Sequence, residues 1–345
     1  MKAMRLHRLA PISADSDGPL VLDEVPVPEP APDEVLIRVT TCGVCHTELD
    51  EIEGRTPPPT LPMTLGHQVV GTVARLPTEG ARFKVGQRVG VAWIASSCGQ
   101  CDYCREGRPN LCPDFKATGR DCAGGYAEYM TARPAFVYPI PDALSDESAA
   151  PLLCAGAIGY RSLKLCELSD GQRLGLTGFG ASGHLVLKMV RFLYPSAEVA
   201  VFARSATERA HALALGAAWA GAPGEAPPHL LHAIIDTTPV WKPVLDALRV
   251  LRPGGRLVIN AIRKEGQDID QWLGLSYPEQ LWMEKEIKSV ANITPDDVRE
   301  FLQIAAEAGI APEVQVYALA DANRALKELR AGQIKGAKVL RIAPR

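Results

Sequence analysis

An alternation of apolar strands and amphipathic helices over residues 173–290 restricts the fold of this chain more than any other feature. It opens with the strand-like RLGLT (173–177), a glycine turn and an amphipathic helix. The patterns EVAVFA, TERAHALALG, HAIIDTT, WKPVLDALRVL and GRLVINAI then follow in turn. Strands that alternate with helices at this interval predict an α/β fold with a doubly wound parallel sheet and helices on both faces.

The glycine turn at the head of this segment has the spacing G-x-G-x-x-G. The first glycine permits a tight turn, the second lets the backbone approach a pyrophosphate, and the third lets the helix pack on the strand. The positive N-terminus of the helix then faces the pyrophosphate. An ordinary glycine turn is the alternative, but the position before several strand–helix units predicts dinucleotide binding. The residues concerned are Gly178, Gly180, Ala181, Ser182 and Gly183.

The end of the second strand bears on the choice of cofactor. An Asp or Glu about 20 residues after the glycines would bind the ribose hydroxyls of NAD. The chain instead has Ala203, Arg204 and Ser205 there. Arg204 and Ser205 are suited to a 2′-phosphate, although a solvated loop arginine is the alternative interpretation. The sequence therefore favours NADP over NAD.

The first half of the chain has a different character. EVLIRVTT (34–41) alternates like a strand, and the glycine-punctuated segments LGHQVVGTVARL and FKVGQRVGVAW continue the style. Such segments predict a compact barrel-like domain. Beyond residue 290 we expect two helices and a last strand that could return to the first domain. We therefore expect a first domain at 1–154, completed by 291–345, and a cofactor domain at 155–290.

The stretch CGQCDYCREGRPNLC places four cysteines at the spacing C-x2-C-x2-C-x7-C. Two-residue gaps let neighbouring sulfurs converge, and four thiolates satisfy a tetrahedral Zn²⁺ with no open position. A [4Fe–4S] cluster and a disulfide framework are the alternatives. The predicted ligands of this structural zinc are Cys98, Cys101, Cys104 and Cys112.

Composition limits the class of protein and its partners. The 345 residues exceed what one core usually supports, and 47% are hydrophobic. The net charge of -3 and the absence of a basic run argue against nucleic acid as a partner. The N-terminal segment lacks the apolar core of a signal peptide, and no apolar run is long enough for a membrane span. We therefore expect a cytoplasmic protein without a membrane partner, in which clustered cysteines bind metal.

Three further residues adjoin glycine-rich turns near the expected domain junction: Cys45, His67 and Cys154. A lone cysteine or histidine is more often structural than a ligand. A Cys2His set, however, leaves the fourth position of zinc open to water or substrate, as a catalytic site requires. The three are too far apart in sequence for their spacing to group them.

The ordered motifs GVCHTEL, GH, CGQCDYC…C, CAG and GFGASG resemble those of the zinc-dependent alcohol dehydrogenases of the medium-chain dehydrogenase/reductase (MDR) superfamily. The match covers essentially the whole chain. The resemblance implies a GroES-like β-barrel catalytic domain and a Rossmann cofactor domain. It also implies two zinc ions per chain, with the catalytic zinc on Cys45, His67 and Cys154.

The resemblance also implies roles for residues around the catalytic zinc. Thr47 would be the hydroxyl that touches the substrate oxygen, and His46 would lie near the cofactor phosphates. Trp93 stands where the family has an aromatic wall of the substrate pocket.

Three positions depart from the family pattern. Gln68 replaces the usual Glu after the ligand histidine, which bears on metal exchange. Glu48 replaces an Asp that bonds to that histidine, so the carboxylate is kept on a longer stem. Asp50 stands where relatives often end a proton relay in histidine.

The activity implied by the resemblance is hydride transfer between a primary alcohol, or the corresponding aldehyde, and NAD(P). The open alternatives are a polyol or secondary-alcohol dehydrogenase of the same superfamily and a catalytically silent nucleotide-binding scaffold. The expected partner is a small-molecule alcohol or aldehyde. Relatives also imply a homo-oligomer, either a dimer or a tetramer.

Overall fold

The computed structural model describes residues 1–13, 18–77, 82–332 and 336–343. The chain divides into two compact units, and no sheet of the described residues spans both. One unit comprises Met1–Cys154 and Ile293–Arg345, and the other is Ala155–Asn292. The first unit therefore uses both ends of the chain, whereas the second is one continuous segment.

The regular elements are numbered in chain order. The strands are β1 (Lys2–Leu6), β2 (Leu20–Glu24), β3 (Val35–Val44), β4 (Met63–Thr64), β5 (Val69–Arg75), β6 (Arg88–Val91), β7 (Ile94–Ser96), β8 (Lys116–Ala117), β9 (Tyr129–Ala132), β10 (Val137–Pro139), β11 (Arg173–Thr177), β12 (Glu198–Phe202), β13 (Trp219–Gly221), β14 (Leu231–Asp236), β15 (Leu251–Ile259), β16 (Glu286–Ser289), β17 (Val314–Ala318) and β18 (Ala337–Arg341). The α-helices are α1 (His46–Ile52), α2 (Asp102–Arg105), α3 (Asp146–Pro151), α4 (Ala157–Cys166), α5 (Ala181–Leu193), α6 (Ala206–Ala214), α7 (Lys242–Val250), α8 (Pro295–Glu307) and α9 (Ala322–Arg330).

The first unit is organised around β3, the central strand of a seven-stranded sheet. The sheet has the order β10-β6-β5-β3-β18-β17, and β9 also pairs with β3. β3 pairs antiparallel with β5, β9 and β18, so the C-terminal strand lies directly beside it. α3 packs against β3, and nearly every β3 residue is buried. The sheet therefore gives a rigid base to the residues that follow β3.

Two smaller sheets complete the first unit. One has the order β2-β1-β4, and the other is the pair β7-β8. The main core joins apolar side chains of β1, β3 and β5 with those of α1 and α9, including Leu6, Val39, Val69, Ile52 and Leu326.

The second unit contains one six-stranded sheet with the order β13-β12-β11-β14-β15-β16. Every pairing in it is parallel. This is the 3-2-1-4-5-6 order of the doubly wound dinucleotide fold, whose direction reverses between β11 and β14. Ligands of such sheets bind outside the carboxyl ends of the strands at that reversal.

The expected fold class is confirmed. One unit is built mainly from antiparallel strands, with β17 and β18 as a parallel pair, and the other is a parallel sheet with intervening helices. The short strands β13 and β16 were not predicted from the sequence. Within the described residues, none of the helices has the length and apolar character that crossing a membrane requires.

A substitution in the centre of β15 tests the packing of the parallel sheet. Leu257 is fully buried among side chains of β14 and α7. We expect Leu257→Ala to lower the free energy of unfolding by about 2–5 kcal/mol, because it removes apolar contacts and leaves a cavity. Urea denaturation followed by circular dichroism measures this change.

Leu273→Ala is the matched control, because that side chain is 92% exposed. It should change the free energy of unfolding by less than about 0.5 kcal/mol. Equal effects of the two substitutions would contradict the assignment of Leu257 to the core.

Candidate active site and metal centres

Helix α1 begins at Cys45, which serves as its N-cap. The Cys45 backbone amide donates to Glu48 Oε2 at 2.8 Å, and the Thr47 amide donates to Cys45 Sγ at 3.4 Å. These reciprocal contacts satisfy amides that the first helical turn leaves unpaired. They also hold the Cys45 sulfur at the start of the helix, directly after the central strand β3.

The structure brings Cys45, His67 and Cys154 together although they are far apart in sequence. His67 Nε2 lies 3.6 Å from Cys45 Sγ and 3.3 Å from Cys154 Sγ. The three ligand atoms all lie within 4.8 Å of one another. Tetrahedral coordination with typical Zn–N and Zn–S lengths of about 2.0–2.3 Å places such atoms roughly 3.5–3.8 Å apart. The donor set therefore fits a single zinc ion.

Backbone features near the other two ligands help to position them. Gly66 precedes His67 with a φ of 96°, and a Cβ there would approach Tyr126 Cδ1 to 2.4 Å. Glycine at this position thus lets the Tyr126 ring pack against the chain beside His67. Cys154 lies in a widened, π-helical turn at Leu152–Gly156, a feature that often occurs at functional sites.

Glu48 contacts His67 on the ring nitrogen that faces away from the two sulfurs. Its Oε1 atom lies 2.7 Å from His67 Nδ1, and both side chains are almost completely buried. A carboxylate at this nitrogen leaves Nε2 to face the two sulfurs, which is the usual arrangement of a metal-binding histidine.

The electrostatics of the cluster favour a bound cation. The hydrogen bond between Cys45 and Cys154, together with burial and the charge of Glu48, raises the pKa of Cys45 well above its usual range. Burial by itself lowers the pKa of His67, but Glu48 and Cys45 raise it well above normal. Two thiols and a buried carboxylate thus share one small volume. A divalent cation relieves their mutual repulsion and stabilises the thiolates.

A second cluster joins the four cysteines of the 98–112 stretch. Their sulfurs lie within 4.8 Å of one another. Cys98 Sγ is 4.0 Å from Cys104 Sγ and 3.5 Å from Cys112 Sγ. A tetrahedral ion with Zn–S bonds of about 2.3 Å holds its sulfurs about 3.8 Å apart. A four-iron cluster would separate them further, since each thiolate binds a different iron, and all nine cysteines are free of disulfides.

Within this four-cysteine lobe (residues 98–112), the pKa values of Cys98 and Cys101 differ sharply. The backbone amides of Gln100 and Cys101 lower the pKa of Cys98 to about 6. The Cys104 amide acts to lower the pKa of Cys101, but burial and hydrogen bonds to Cys104 and Cys98 raise it to about 12. The lobe therefore contains one cysteine, Cys98, that ionises readily and one, Cys101, that resists ionisation. A shared cation is the group that allows all four to ionise together.

Four further predicted residues lie in the first unit. Thr47 is partly buried in the first turn of α1 beside Cys45, and His46 is exposed at the start of that helix. Asp50 is buried, and its carboxylate accepts from Arg55 Nε at 2.5 Å. Trp93 Nε1 is buried and has no hydrogen-bond partner among the described residues.

Trp93 belongs to a group of ring and cation contacts. Its ring centroid is 5.0 Å from that of Phe115, and the Arg120 guanidinium lies 5.7 Å from the Trp93 centroid. Arg120 also forms an ion pair with Asp121 at 2.6 Å.

In the second unit, the glycine motif lies between β11 and α5. Gly178 has a φ of 83°, and a Cβ on Gly183 would approach Gly178 O to 2.8 Å. By contrast, a Cβ on Gly180 would meet nothing within 4 Å, so its backbone is open to an approaching ligand. Ala181 and Ser182 begin α5 directly after Gly180. The helix N-terminus thus follows the open glycine, as anion binding requires.

Ala203, Arg204 and Ser205 follow β12 without an acidic residue among them. Arg204 is exposed. Ser205 is the N-cap of α6: its hydroxyl donates to Glu208 Oε2 at 2.9 Å and accepts from the Glu208 amide at 3.1 Å.

Some residues at these sites were not predicted from the sequence. Arg209 Nη1 donates to the carbonyls of Ala203 and Arg204, at 2.8 Å each. The capping box Ser205-x-x-Glu208 was a readable signal for the Ser205 contacts. Glu51 is also buried beside Glu48, and burial together with the Glu48 charge raises its pKa well above normal. No sequence signal identifies Arg55 or Glu51 as neighbours of the site.

Comparisons with known proteins identify the family of this chain. Residues 31–142 match the family model of the alcohol dehydrogenase GroES-like domain. The chain is 43% identical to a probable alcohol dehydrogenase, AdhA, of Mycobacterium tuberculosis (strain CDC 1551 / Oshkosh), over 99% of this chain and 97% of that protein. It is 32% identical to an alcohol dehydrogenase of Geobacillus stearothermophilus over 94% of this chain and 96% of that protein. A cinnamyl alcohol dehydrogenase of Sorghum bicolor (L.) Moench aligns with a TM-score of 0.84 at 25% identity, covering 99% of this chain and 97% of that one.

The chain belongs to the zinc-dependent alcohol dehydrogenases of the medium-chain dehydrogenase/reductase superfamily. It is an NAD(P)-dependent oxidoreductase that interconverts alcohols and aldehydes. The resemblance drawn from the sequence motifs, the fold class and the expected activity are thereby confirmed.

The contact between Glu48 and His67 predicts a role in metal affinity. We expect Glu48→Gln to weaken zinc binding at the Cys45–His67–Cys154 cluster by about tenfold to a hundredfold, since the charge that orients His67 is lost. Competition with a chromogenic zinc chelator measures the affinity.

Glu53→Gln is the control, because Glu53 caps the other end of α1 and pairs with Arg55 instead of the cluster. It should leave zinc affinity unchanged. Equal zinc affinities for the native protein and Glu48→Gln would refute the proposed support of His67.

Proposed function

We propose that Cys45, His67 and Cys154 bind the catalytic zinc of this dehydrogenase. The observation that carries the proposal is the convergence of two sulfurs and one imidazole nitrogen within 4.8 Å, with Glu48 on the far nitrogen of His67. Three protein ligands leave one position of a tetrahedral ion for substrate oxygen or water.

The second zinc of the proposal occupies the four-cysteine lobe. Cys98, Cys101, Cys104 and Cys112 supply all the ligands of a tetrahedral ion, so this site has no position for substrate. Its proposed role is structural. The chain would then hold two zinc ions, one in each cluster.

The proposed reaction needs an acid–base group beside the metal site. When bound, zinc acts as a Lewis acid that lowers the pKa of the substrate hydroxyl, and the nicotinamide carries the hydride. Thr47 is the proposed hydroxyl that takes the substrate proton and passes it on. Its place in the first turn of α1, with its amide on Cys45 Sγ at 3.4 Å, supports this role.

Three other residues complete the proposed machinery. Glu48 keeps His67 in the ligand orientation through the 2.7 Å contact. His46, exposed at the start of α1, is the proposed contact to the cofactor phosphates. Asp50 remains the proposed end of the proton path, with its carboxylate fixed in place by Arg55.

Trp93 is the proposed wall of the substrate pocket. Its large ring narrows the space and favours slim primary alcohols and aldehydes over branched secondary alcohols and polyols. The buried, unpartnered Nε1 donor supports contact with a polar group of a bound molecule. Because a relative with a similar structure is named a cinnamyl alcohol dehydrogenase, planar aromatic aldehydes belong in the test panel.

We further propose that the first unit is the catalytic domain and that the second binds the dinucleotide at Gly178–Gly183. NADP is the preferred cofactor in this proposal. Arg204 is exposed directly after β12, where a carboxylate would select NAD, and its guanidinium is suited to a 2′-phosphate. The cap that Ser205 forms on α6 holds this turn in place.

The protein is also proposed to be a cytoplasmic homo-oligomer. Strand β16 is the exposed edge of the parallel sheet, and unpaired edges are normally covered. Antiparallel pairing with a second copy around Ile287 would place Glu286 of one chain opposite Lys288 of the other. Large apolar side chains near this edge in sequence are exposed as well: Tyr277, Trp282 and Met283.

Paired cysteine substitutions separate the two metal sites. Cys45→Ser should abolish turnover and lose one zinc per chain while keeping thermal stability, because it removes a catalytic ligand. Cys101→Ser should lose the other zinc and lower the melting temperature, because it opens the closed lobe. Metal analysis, calorimetry and initial rates of the two variants and the native protein make the comparison.

Full turnover in Cys45→Ser with one zinc lost would contradict the catalytic assignment. An unchanged melting temperature in Cys101→Ser, together with lost turnover, would reverse the two roles. One zinc per native chain would favour the silent-scaffold alternative.

The cofactor proposal is tested by initial rates with NADPH and NADH over a series of aliphatic and aromatic aldehydes. We expect NADPH to be preferred, and Arg204→Ala to raise the KM for NADPH by about tenfold or more, since a charge-assisted contact is lost. The KM for NADH should stay unchanged. A strong NADH preference of the native protein would overturn the reading of Ala203–Ser205.

A further inference from the structure

A buried ion pair lies at the carboxyl ends of the strands where the parallel sheet reverses its order. Asp236, the last residue of β14, is fully buried and forms an ion pair with Lys264. The Lys264 side chain is only 6% exposed, and its residue lies in the segment after β15. The pair therefore connects the carboxyl ends of two neighbouring strands at the ligand-binding edge of the sheet.

The carboxylate of Asp236 also accepts hydrogen bonds from two hydroxyl groups. Its Oδ1 atom accepts from Thr177 Oγ1 at 2.5 Å and from Thr238 Oγ1 at 2.7 Å. Thr177 is the last residue of β11 and directly precedes the glycine motif. Asp236 thus links the end of β14 to the strand that leads into the dinucleotide turn.

The ammonium of Lys264 holds the loop that follows β14. Its Nζ atom donates to the carbonyls of Thr238 at 2.7 Å and Val240 at 2.9 Å, in addition to Asp236. The ring of Trp241 lies 5.7 Å from the same nitrogen. With three acceptors, every donor of the ammonium is used, and residues 238–240 are fixed relative to β14.

This loop touches the glycine turn directly. The Thr237 amide and hydroxyl both donate to Thr177 O at 2.9 Å. A Cβ built on Gly178 would lie 2.6 Å from Thr237 Oγ1 and 3.3 Å from Thr238 Cγ2. The position of the first glycine of the motif is therefore set by the loop that Lys264 and Asp236 hold.

Burial of two charges is costly, and well-packed apolar residues often stabilise a fold as much or more. The pair occurs where backbone position matters for binding, since a pyrophosphate is recognised by backbone amides at fixed points. We propose that Asp236 and Lys264 are positioning residues for the dinucleotide, which keep the glycine turn and the loop 237–241 in their binding geometry. This inference rests on the proposed use of Gly178–Gly183 as the dinucleotide site.

The test uses the full-length zinc-loaded enzyme and measures NADPH dissociation constants from the fluorescence of the reduced nicotinamide. Lys264→Met keeps the length of the side chain but removes the charge and all three donors. We expect NADPH affinity to fall by about tenfold or more, as for the loss of charge-assisted hydrogen bonds. Zinc content should be unchanged, and kcat at saturating cofactor should fall much less than kcat/KM for the cofactor.

Lys285→Met is the matched control. Lys285 also lies in the second unit and donates to two carbonyls, of Leu248 and Glu279, but among the described residues it forms no ion pair with a carboxylate at the strand ends. It should lower the melting temperature without changing NADPH affinity. If both lysine variants lower the melting temperature equally and neither changes NADPH affinity, the pair is merely structural and the inference is wrong.

Lys264→Met leaves the Asp236 carboxylate buried without its partner, which could prevent folding. A double variant avoids this problem. Asp236→Asn with Lys264→Gln replaces the ion pair by two neutral amides that still hydrogen-bond. Its NADPH affinity should lie nearer the native value than that of either single substitution. If the losses of NADPH affinity caused by Asp236→Asn and by Lys264→Gln simply multiply in the double variant, the two residues act independently and the proposal is wrong.

Dinucleotide binding by the native enzyme separates a failure of the positioning role from a failure of the proposed cofactor site. Failure of the native protein to bind either reduced dinucleotide would refute the proposed cofactor site itself. Tight native binding together with equally tight binding by Lys264→Met would refute only the positioning role.

Discussion

Six cysteines and one histidine crowd around two points in the first unit, and both proposed zinc sites depend on this crowding. Seven ligand atoms converge in two groups, each within 4.8 Å. Burial and mutual contact raise the pKa of Cys45 in one group and of Cys101 in the other, so that without a cation these sulfurs resist the thiolate form. A divalent ion at each point removes that conflict. The difference between the groups is the number of protein ligands: four close a site, and three leave it open to substrate.

The fold brings the open site together from three separate segments. The central strand β3 delivers the chain to Cys45 at the start of α1, a glycine with positive φ precedes His67, and a widened helical turn presents Cys154. Sheet pairing of β3 on both sides fixes the first of these segments, and Glu48 connects it to the second. In the second unit, the ion pair of Asp236 and Lys264 is comparable to the Glu48–His67 contact, because it connects the strand ends to the glycine turn. In both units, buried charged side chains contact residues of the proposed sites, and their proposed role is to hold the ligand-binding groups in position.

Local patterns were enough to predict much of this arrangement. The parallel sheet follows from apolar strands alternating with helices, and the glycine turn and the four-cysteine lobe follow from their spacing. Two short strands were missed. All four residues of β16 (EIKS) are exposed, and the strand is too short for an apolar pattern to stand out, while β13 has only three residues. Residue spacing could not group Cys45, His67 and Cys154, which only the family resemblance suggested. The pairs Asp50–Arg55 and Asp236–Lys264 depend on how strand ends and turns meet in three dimensions, which no local pattern records.

X-ray absorption at the zinc edge, combined with a metal count on the native protein, tests whether both clusters bind zinc. The two clusters offer six sulfur and one histidine nitrogen ligand in total. With two zinc ions per chain and one light ligand at the open position, the average zinc should therefore show about three sulfur and one nitrogen or oxygen neighbours. One zinc per chain surrounded by about four sulfurs would mean that Cys45, His67 and Cys154 hold no metal, and would contradict the account.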